Sequence, residues 1–366
     1  MKFSCPKGEL LKAIGICSRA SSKMQKTILE CILFSCKDNS IELKATDISL
    51  SIKTKIEAAV TEEGVAAIPA RLLYEIINRF PENEVSFSSV RENTVEISCL
   101  NSKVDLQQMD ADEFPEFPEI EQGEQIKIGQ SLLKSMINQT IFSAAASEEK
   151  PILTGLYFDV TRNNLSIVAL DGYRMAVRKE PAISDIVKSC VVPARTLREL
   201  SRIVNDSEEN IKISISGNMA LFETEDTQIY TRLLEGEYIN YKNLLPKEYT
   251  TSVKVEKEML RESIELASVL AREGNNNVVR FQVEDKILEI TSNSEMGKLN
   301  DKVPVITRGK NLKIAFNAKY ILDVLKAVED QEVVMHFNSA ISPCIIKQDG
   351  SETYEYLVLP VQLKEE

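Results

Sequence analysis

The stretch "AIPARLLYEII" at residues 67–77 returns as "VVPARTLREL" at 191–200 and, more faintly, as "AFNAKYILDVL" at 315–325. Ala70, Ala194 and Ala318 hold the same place in the three copies and are separated by equal intervals of 124 residues. Equal spacing on this scale is the signature of a repeated structural unit. At 366 residues the chain is also too long for a single hydrophobic core. The sequence therefore predicts three similar domains.

Each copy has the pattern of an amphipathic helix. One apolar position aligns as Leu73, Leu197 and Ile321, and further apolar residues follow three and seven positions later. The opposite face begins with a basic residue in every copy, namely Arg71, Arg195 and Lys319. Within the copies, a proline stands directly before the helical pattern in the first two, and Asn317 stands there in the third. Both residue types favour a helix start.

A second helix is predicted about 60 residues before each of these copies, after a short alternating strand such as "KFSC" or "IKIG". The six predicted helical segments are 7–26, 69–80, 131–143, 193–204, 257–272 and 317–328. Alternating runs between them indicate several strands, so the fold class is α+β, with two helices packed on antiparallel sheets in each domain. Turn-rich joints at 112–125 and 235–251 suggest domains at 1–122, 123–249 and 250–366.

The charge of the chain is unevenly distributed. The net charge is −12, yet the six predicted helices together carry +9. If the helices of three similar domains share one surface, that surface is basic while the sheets and loops are acidic. Such a lining suits the phosphate backbone of DNA, which is bound without base-specific contacts. Solvated helix faces would show the same charges, so composition alone leaves both interpretations open.

Composition excludes several other classes of protein. No stretch approaches the apolar length of a membrane span, and the N-terminus "MKFSCPKGELLKAI" lacks the apolar core of a signal peptide. Seven scattered cysteines without a C-x-x-C pair favour reduced thiols over disulfides or a zinc site. These features predict a protein that remains in the cytoplasm, away from membranes.

A catalytic site is not indicated. The chain has no phosphate-binding loop, no dinucleotide fingerprint and no metalloprotease or nucleophile-elbow motif. The single histidine, His336, lies in the alternating run "VVMHFN" and is interpreted as structural, and Asp47 and Asp171 suit turns. The sequence therefore predicts no catalytic residue, no metal and no cofactor, although an enzyme with an unrecognised site is a weaker alternative.

At full length, and in order, the motifs "ATDISLSI" (45–52), "DADEFPEFP" (110–118), "ILTGLYF" (152–158), "ALDGYRMAV" (169–177), "FNAKYILDVL" (316–325) and "YLVLPVQL" (356–363) resemble those of the bacterial DNA polymerase III beta subunit, the sliding clamp. The resemblance implies a DNA-clamp fold, a head-to-tail homodimer and a closed ring with helices lining its hole. A ring around a cylindrical ligand explains why one unit is repeated, since closed head-to-tail contacts generate rings.

The resemblance also implies a groove for short, mostly apolar peptides of partner proteins. These partners are the DNA polymerase III alpha subunit and other clamp-binding proteins such as repair polymerases, mismatch-repair proteins and ligase. Leucine and methionine would form the floor, and Tyr173 and Arg174 a polar rim. The groove residues carried over are Leu153, Leu170, Gly172, Tyr173, Arg174, Met175, Leu244, Tyr320, Ser342, Leu359, Pro360, Val361, Gln362 and Leu363.

DNA contacts are predicted from two sources. The resemblance implies Lys23 and Lys150, and the helix charges add Lys12, Arg71, Lys134, Arg195, Arg198, Arg202, Lys319 and Lys326. The resemblance places the dimer seam between Val104 and Leu106 of one copy and Val269 and Leu270 of the next. Because the chain has no nucleotide-binding loop, opening the ring requires an ATP-dependent clamp loader.

Three departures from the family pattern affect details. A proline common in the second linker is replaced by Ile239, and a basic residue near it by Asn243, which leaves the peptide preference open. The loop at 26–30 reads "KTILE" where the family often has "TLPIL". A repeat-built interaction scaffold that uses the groove but never encloses DNA is the main alternative function.

Overall fold

The computed structural model describes residues 1–21, 27–91, 93–120, 125–147, 149–184, 186–273, 277–350 and 353–362. Within them the helices are α1 (Lys7–Cys17), α2 (Ala70–Arg79), α3 (Gln130–Asn138), α4 (Ala194–Ile203), α5 (Lys257–Glu273) and α6 (Ala318–Ala327).

The strands of the first repeat are β1 (Lys2–Pro6), β2 (Cys31–Lys37), β3 (Ser40–Thr46), β4 (Leu50–Glu57), β5 (Ala59–Glu62), β6 (Gly64–Pro69), β7 (Glu84–Arg91), β8 (Thr94–Cys99) and β9 (Ser102–Gln107). Those of the second are β10 (Gln125–Gly129), β11 (Gly155–Thr161), β12 (Asn164–Leu170), β13 (Arg174–Pro181), β14 (Ile183–Ser184), β15 (Lys188–Pro193), β16 (Asn210–Ser216), β17 (Met219–Glu223) and β18 (Thr227–Arg232). Those of the third are β19 (Thr251–Glu256), β20 (Val278–Val283), β21 (Ile287–Ser294), β22 (Gly297–Pro304), β23 (Ile306–Gly309), β24 (Leu312–Asn317), β25 (Glu332–Phe337), β26 (Cys344–Lys347) and β27 (Tyr354–Val358).

The three repeats have the same element order. Each consists of one strand, a helix, five strands, a second helix and three strands. The described strands of the main ladders pair antiparallel with their neighbours. The predicted α+β class and the threefold repetition are therefore confirmed.

The chain forms two compact units. Unit 1 comprises Met1–Ser131 and Arg202–Leu233, and unit 2 comprises Leu132–Ser201 and Leu234–Glu366. The polypeptide thus contributes parts of its middle third to both units. The predicted domain boundaries at 122/123 and 249/250 stay predictions.

Sheets join neighbouring repeats edge to edge. In unit 1, β18 of the second repeat pairs with β4 of the first, with Ile229 opposite Ile52. In unit 2, β27 of the third repeat pairs with β13 of the second, with Met175 opposite Leu357. The latter sheet has nine strands in the order β15-β11-β12-β13-β27-β26-β25-β19-β23. Two further sheets stand at the ends of the series, five strands ending at β9 and four strands ending at β22.

Apolar helix faces pack against these sheets. In unit 2, Leu260 and Ile264 of α5 and Ile321 of α6 are fully buried in one cluster with strand residues. In unit 1, Phe3 stacks on Phe87 with ring centroids 4.7 Å apart. Full burial of each such side chain contributes about 1.5–3 kcal/mol, so the helices are held by packing rather than by helix propensity.

Two predicted helices end earlier than the pattern suggested. In the segment 7–26 the α-helix ends at Cys17, and residues 22–26 lie outside the described residues; in the segment 131–143 it ends at Asn138. At both ends a hydroxyl bonds back to the helix: Ser18 Oγ donates to the Ile14 carbonyl at 2.6 Å, and Thr140 Oγ1 donates to the Met136 carbonyl at 2.7 Å. These bonds compete with continuation of the helix, and short 3₁₀ turns follow.

Candidate functional site: a groove in unit 2

The groove begins at the tight turn between β12 and β13. Asp171 Oδ1 accepts hydrogen bonds from the backbone N–H groups of Tyr173 at 2.9 Å and Arg174 at 3.0 Å. Gly172 has a φ of +90°, and a methyl group added at its Cα would meet no atom within 4 Å. The predicted Asp-Gly turn is confirmed. Its tip presents Tyr173, 61% exposed, beside an open surface.

The floor of the groove is apolar. Leu170 lies opposite Met175 across the β12–β13 ladder, Met175 lies opposite Leu357, and Leu357 lies opposite Ile345. These side chains are buried in one cluster that also contains Leu153. The structure thus brings together three of the leucine and methionine residues predicted for the groove, Leu153, Leu170 and Met175. Leu357 and Ile345 belong to the same cluster and were not predicted, because only the pairing of β13 with β27 and of β27 with β26 places them there.

Arg174 lies in the wall of the groove and not on its rim, because its guanidinium is fully engaged within the protein. The side chain is 8% exposed. Nε donates to Asp171 Oδ2 at 3.0 Å, Nη1 to Asp323 Oδ2 at 2.6 Å, and Nη2 to the Phe142 carbonyl at 2.7 Å. The expected polar rim at this position is corrected accordingly.

Tyr320 of α6 joins Arg174 to the exposed edge of the groove. The Arg174 guanidinium stands over the Tyr320 ring, 4.6 Å from its centroid, and Tyr320 stacks on Tyr173 at 6.2 Å. Burial raises the pKa of the Tyr320 hydroxyl, and the nearby Asp171 carboxylate raises it further. The two stacked tyrosines form an aromatic rim that is suited to a mostly apolar ligand.

The second linker is anchored beside the floor by aromatic residues. Tyr238 stacks on Tyr157 with centroids 4.9 Å apart, and the Tyr241 hydroxyl donates to Asp159 Oδ2 at 2.9 Å. Burial raises the pKa of Tyr241 above its usual range, so this hydroxyl stays a donor. Ile239, between the two anchors, is 41% exposed, and Leu244, three residues after Tyr241, is 42% exposed.

The remaining predicted groove residues come from two segments of the third repeat. Ser342 is half-buried, with its hydroxyl 2.7 Å from Ser339 Oγ. The Leu359 N–H donates to the Tyr173 carbonyl at 2.9 Å, which ties the C-terminal segment to the turn. Within that segment Leu359 and Gln362 are exposed, Pro360 and Val361 are half-buried, and Leu363 lies outside the described residues. Ile341, next to Ser342, is 72% exposed and is a further apolar side chain that the sequence reading missed.

The predicted DNA-contacting residues are mostly exposed. Those with exposed side chains are Lys12 on α1, Arg71 on α2, Arg195, Arg198 and Arg202 on α4, Lys319 and Lys326 on α6, and Lys150 in a turn. Lys134 on α3 is half-buried, and Lys23 lies outside the described residues. Arg71 makes a surface ion pair with Glu75 at 3.2 Å. The basic residues therefore stand on helix surfaces, and their contact with DNA stays a prediction.

The predicted seam residues lie at the ends of the sheet series. Val104, half-buried, and Leu106, buried, belong to β9, the outer strand of the five-stranded sheet. Val269 is 60% exposed and Leu270 half-buried on α5, which packs against β21 and β22. Met259 and Leu266 on α5 are also more than half exposed. This helix thus shows an apolar stripe without a partner in the described part of the chain.

The single histidine and the seven cysteines lie in surroundings typical of structural residues. His336 Nδ1 is 2.8 Å from Ser252 Oγ, and its ring stacks on Tyr249 with centroids 4.4 Å apart. Burial, with the nearby Lys347 charge, lowers the pKa of His336 to about 4. The seven cysteines are free thiols, and burial raises the pKa of Cys31, for example, to about 11. Among the described residues no group of His, Cys, Asp or Glu is placed to hold a metal ion.

A threefold repeat of strand, helix, five strands, helix and three strands, with sheets that join neighbouring repeats edge to edge, defines a protein of the DNA-clamp class. Three family models match in order: the N-terminal domain of the DNA polymerase III beta subunit at residues 1–118, its central domain at 127–240 and its C-terminal domain at 242–362. The chain therefore belongs to the DNA polymerase III beta subunit family.

Individual relatives agree with this assignment. The chain is 32% identical to the beta sliding clamp of Staphylococcus aureus, over 97% of this chain and 95% of the relative. The crystal structure of the DNA polymerase sliding clamp from Bacillus subtilis has a TM-score of 0.96 at 32% identity and covers 100% of both chains. A putative DNA polymerase III beta subunit from Eubacterium rectale has a TM-score of 0.94 at 34% identity, over 99% of this chain and 100% of that one. Helices long and apolar enough to cross a membrane are absent from the described residues.

Proposed function

We propose that two copies of this chain join head to tail into a closed ring around duplex DNA, and that the ring tethers DNA polymerase III to its template. The observation that carries this proposal is the full-length, in-order match to the three domains of a family whose relatives are named sliding clamps. The chain acts as a non-catalytic processivity subunit. Topological linkage, rather than tight binding, then keeps it on DNA.

The sheets support the head-to-tail arrangement. Inside the chain, β18 pairs with β4 of the preceding repeat and β27 pairs with β13 of the preceding repeat. In the first repeat, β9 corresponds to β18 and β27, but no repeat precedes it in the chain. In the third repeat, β22 corresponds to β4 and β13, but among the described residues its edge is not paired with a following repeat. Pairing β22 of one copy with β9 of the next joins a four-stranded and a five-stranded sheet into nine strands, the number already present in unit 2. The two surfaces differ, so the contact is heterologous, which is the type that generates a ring where its rotation closes.

The apolar stripe of α5 supports the same seam. Val269, Leu266 and Met259 are each at least half exposed. Because α5 packs against β22, a strand added at the β22 edge would bring the partner's β9 close to this stripe. Burial of the three side chains would contribute about 1–2 kcal/mol each, which is a reasonable part of a stable interface.

The groove supports the tethering function. An apolar floor, an aromatic rim and a nearby exposed leucine fit a short apolar segment of a partner, with Leu and Met able to repack around different sequences. Partners of this kind are the DNA polymerase III alpha subunit, repair polymerases, mismatch-repair proteins and ligase. An ATP-dependent clamp loader opens the ring. All seven cysteines are free thiols, in keeping with a cytoplasmic location.

Chemical crosslinking tests the seam. Asp105 on β9 and Lys298 on β22 are exposed and take the places of the paired residues Tyr230 and Ser51 in the repeat. In a Cys190→Ser background, which removes the one native thiol that is not buried, the double variant Asp105→Cys/Lys298→Cys should give closed covalent dimers with a short bis-maleimide. Each single variant should stay monomeric on a denaturing gel. Dimers from a single variant would instead show a two-fold symmetric contact and contradict the head-to-tail ring.

Primer extension tests the tether. With polymerase III core and clamp loader, wild-type protein should lengthen the products made in one binding event, and Leu153→Ser should not. A matched control is Leu29→Ser, because Leu29 takes the place of Leu153 in the first repeat, outside the groove. Long products with both variants would favour the alternative, a scaffold that does not act through this groove.

A further inference from the structure

Arg174 joins three separate parts of unit 2. Its guanidinium contacts Asp171 in the turn, Asp323 on α6 and the Phe142 carbonyl after α3. It also stands between the Phe142 ring at 5.4 Å and the Tyr320 ring at 4.6 Å. Charge-assisted bonds of this kind in a buried place are strong and directional. Tyr320 is therefore held on one side by a fixed cation.

Asp323 completes this arrangement from the same helix as Tyr320. The carboxylate is 22% exposed and lies 2.6 Å from Arg174 Nη1, the shortest of the three guanidinium contacts. Asp323 lies one turn of α6 beyond Tyr320. An ion pair between Asp323 and Arg174 thus fixes the rotation of α6 against the turn that carries Tyr173.

We propose that Asp323 is a positioning residue for partner binding: through Arg174 it assembles the Tyr173–Tyr320 rim before a peptide arrives. This inference rests on the proposed function of the groove. A preassembled rim lowers the entropic cost of ordering side chains when the peptide binds. In this role Asp323 does not touch the peptide, and the three nitrogens of the Arg174 guanidinium donate hydrogen bonds within the protein.

The repeat shows that this arrangement is specific to one place. The positions equivalent to Asp323 are Glu75 and Glu199, and those equivalent to Arg174 in the strand ladders are Leu50 and Gly297. An acidic residue on the helix is therefore common to all repeats, whereas the arginine occurs only at the groove. Glu75 pairs with Arg71 and Arg79 on the surface of α2 and provides a matched control.

Fluorescence anisotropy with a labelled peptide from the clamp-binding segment of a DNA polymerase III alpha subunit tests the proposal. Asp323→Asn should weaken binding about tenfold or more, because the guanidinium loses its ion pair with α6 and no longer holds Tyr320 in place. Glu75→Gln should bind like wild type. Asp323→Glu, which keeps the charge but shifts it, should give an affinity between those of wild type and Asp323→Asn.

A double-mutant cycle separates positioning from general loss of structure. Tyr320→Ala should weaken binding in the wild-type background but clearly less in the Asp323→Asn background, since the ring is then already released. Equal effects of Tyr320→Ala in both backgrounds, or wild-type affinity in Asp323→Asn, would overturn the positioning role. A folded wild-type protein that leaves the peptide free would overturn the proposed groove function, and the positioning role with it.

Discussion

The turn at Thr46–Ser51 and the turn at Leu170–Met175 hold the same place in two repeats, yet only the second borders a groove. Their backbones agree closely. Asp47 Oδ1 accepts from the N–H groups of Ser49 at 3.1 Å and Leu50 at 2.9 Å, as Asp171 does from the residues equivalent to these. The residue after the aspartate has a positive φ in both, 78° at Ile48 and 90° at Gly172.

The side chains around the two turns differ in chemistry. Where the groove has Leu170 and Met175 on its floor, the first repeat has Thr46 and Ser51, whose hydroxyls bond each other at 2.7 Å. The buried Arg174 corresponds to Leu50, which is 1% exposed. Repetition has thus kept the scaffold, while the ligand site depends on a few side chains at one of the copies.

The largest effect is expected from replacing Arg174 with leucine, the residue that the first repeat has at this position. Arg174→Leu removes the cation between Asp171 and Asp323 and leaves both carboxylates without it. Breaking such a buried pair costs about 3–5 kcal/mol, which urea denaturation should show as a loss of stability in unit 2. The control Arg174→Leu/Asp323→Leu should recover part of that loss, and no recovery would contradict a role for the ion pair.

A smaller effect is expected at the rim. Tyr173→Ser installs the residue of the first turn, Ser49, at a side chain that is 61% exposed. Partner-peptide affinity should fall about tenfold because an aromatic anchor is lost, while the melting temperature stays nearly unchanged. The reverse change Ser49→Tyr should create no peptide binding. Unchanged affinity in Tyr173→Ser would show that the rim does not touch the peptide.

The two units should also differ in acid sensitivity, because the only histidine lies in unit 2. The pKa of His336 in the folded protein is about 4, below the usual 6.5. Between these two pH values the unfolded chain therefore binds a proton at His336 that the folded protein does not bind. Stability should therefore fall as the pH drops from about 7 towards 4, by about 3 kcal/mol. Denaturation of wild type and His336→Asn at a series of pH values measures the difference. An identical pH slope for both would contradict the neutral, packed histidine.

The smallest effect concerns the strain in the first turn. Ile48 is a β-branched residue with a backbone φ of 78°, which is an unfavourable conformation for it. Because its side chain is 58% exposed, burial does little to offset this strain. Ile48→Gly should stabilise the protein by up to about 1 kcal/mol, reduced by the greater freedom of glycine in the unfolded chain. Gly172→Ala should destabilise by about 1 kcal/mol for the same conformational reason. Calorimetry of both variants should show shifts of opposite sign.

Local patterns in the sequence predicted much of this molecule. The 124-residue interval, the helix starts and the Asp-Gly turn depend on neighbouring residues, so the repeat and the turn followed from them. The helices that end at Cys17 and Asn138 were predicted to be too long. Side-chain hydroxyls that bond back to helix carbonyls end them, and such bonds leave no clear periodic signal in the sequence.

The groove shows where sequence reasoning stops. Leu170 and Met175 could be assigned from the motif, but Leu357 and Ile345 join them only through the pairing of β13, β27 and β26. The burial of Arg174 depends on Asp323, which is far away in the chain. An arginine in a turn next to an exposed tyrosine gives no sign of which carboxylate it will meet.

Loading onto nicked circular DNA is the most direct test of the ring. The protein is loaded with a bacterial clamp loader and ATP, freed from unbound material, and the circle is then cut once. A closed ring should stay on the intact circle and be released when the DNA is linearised. Equal retention on linear DNA would show ordinary electrostatic binding, and failure to load an intact dimer with an active loader would contradict the encircling function.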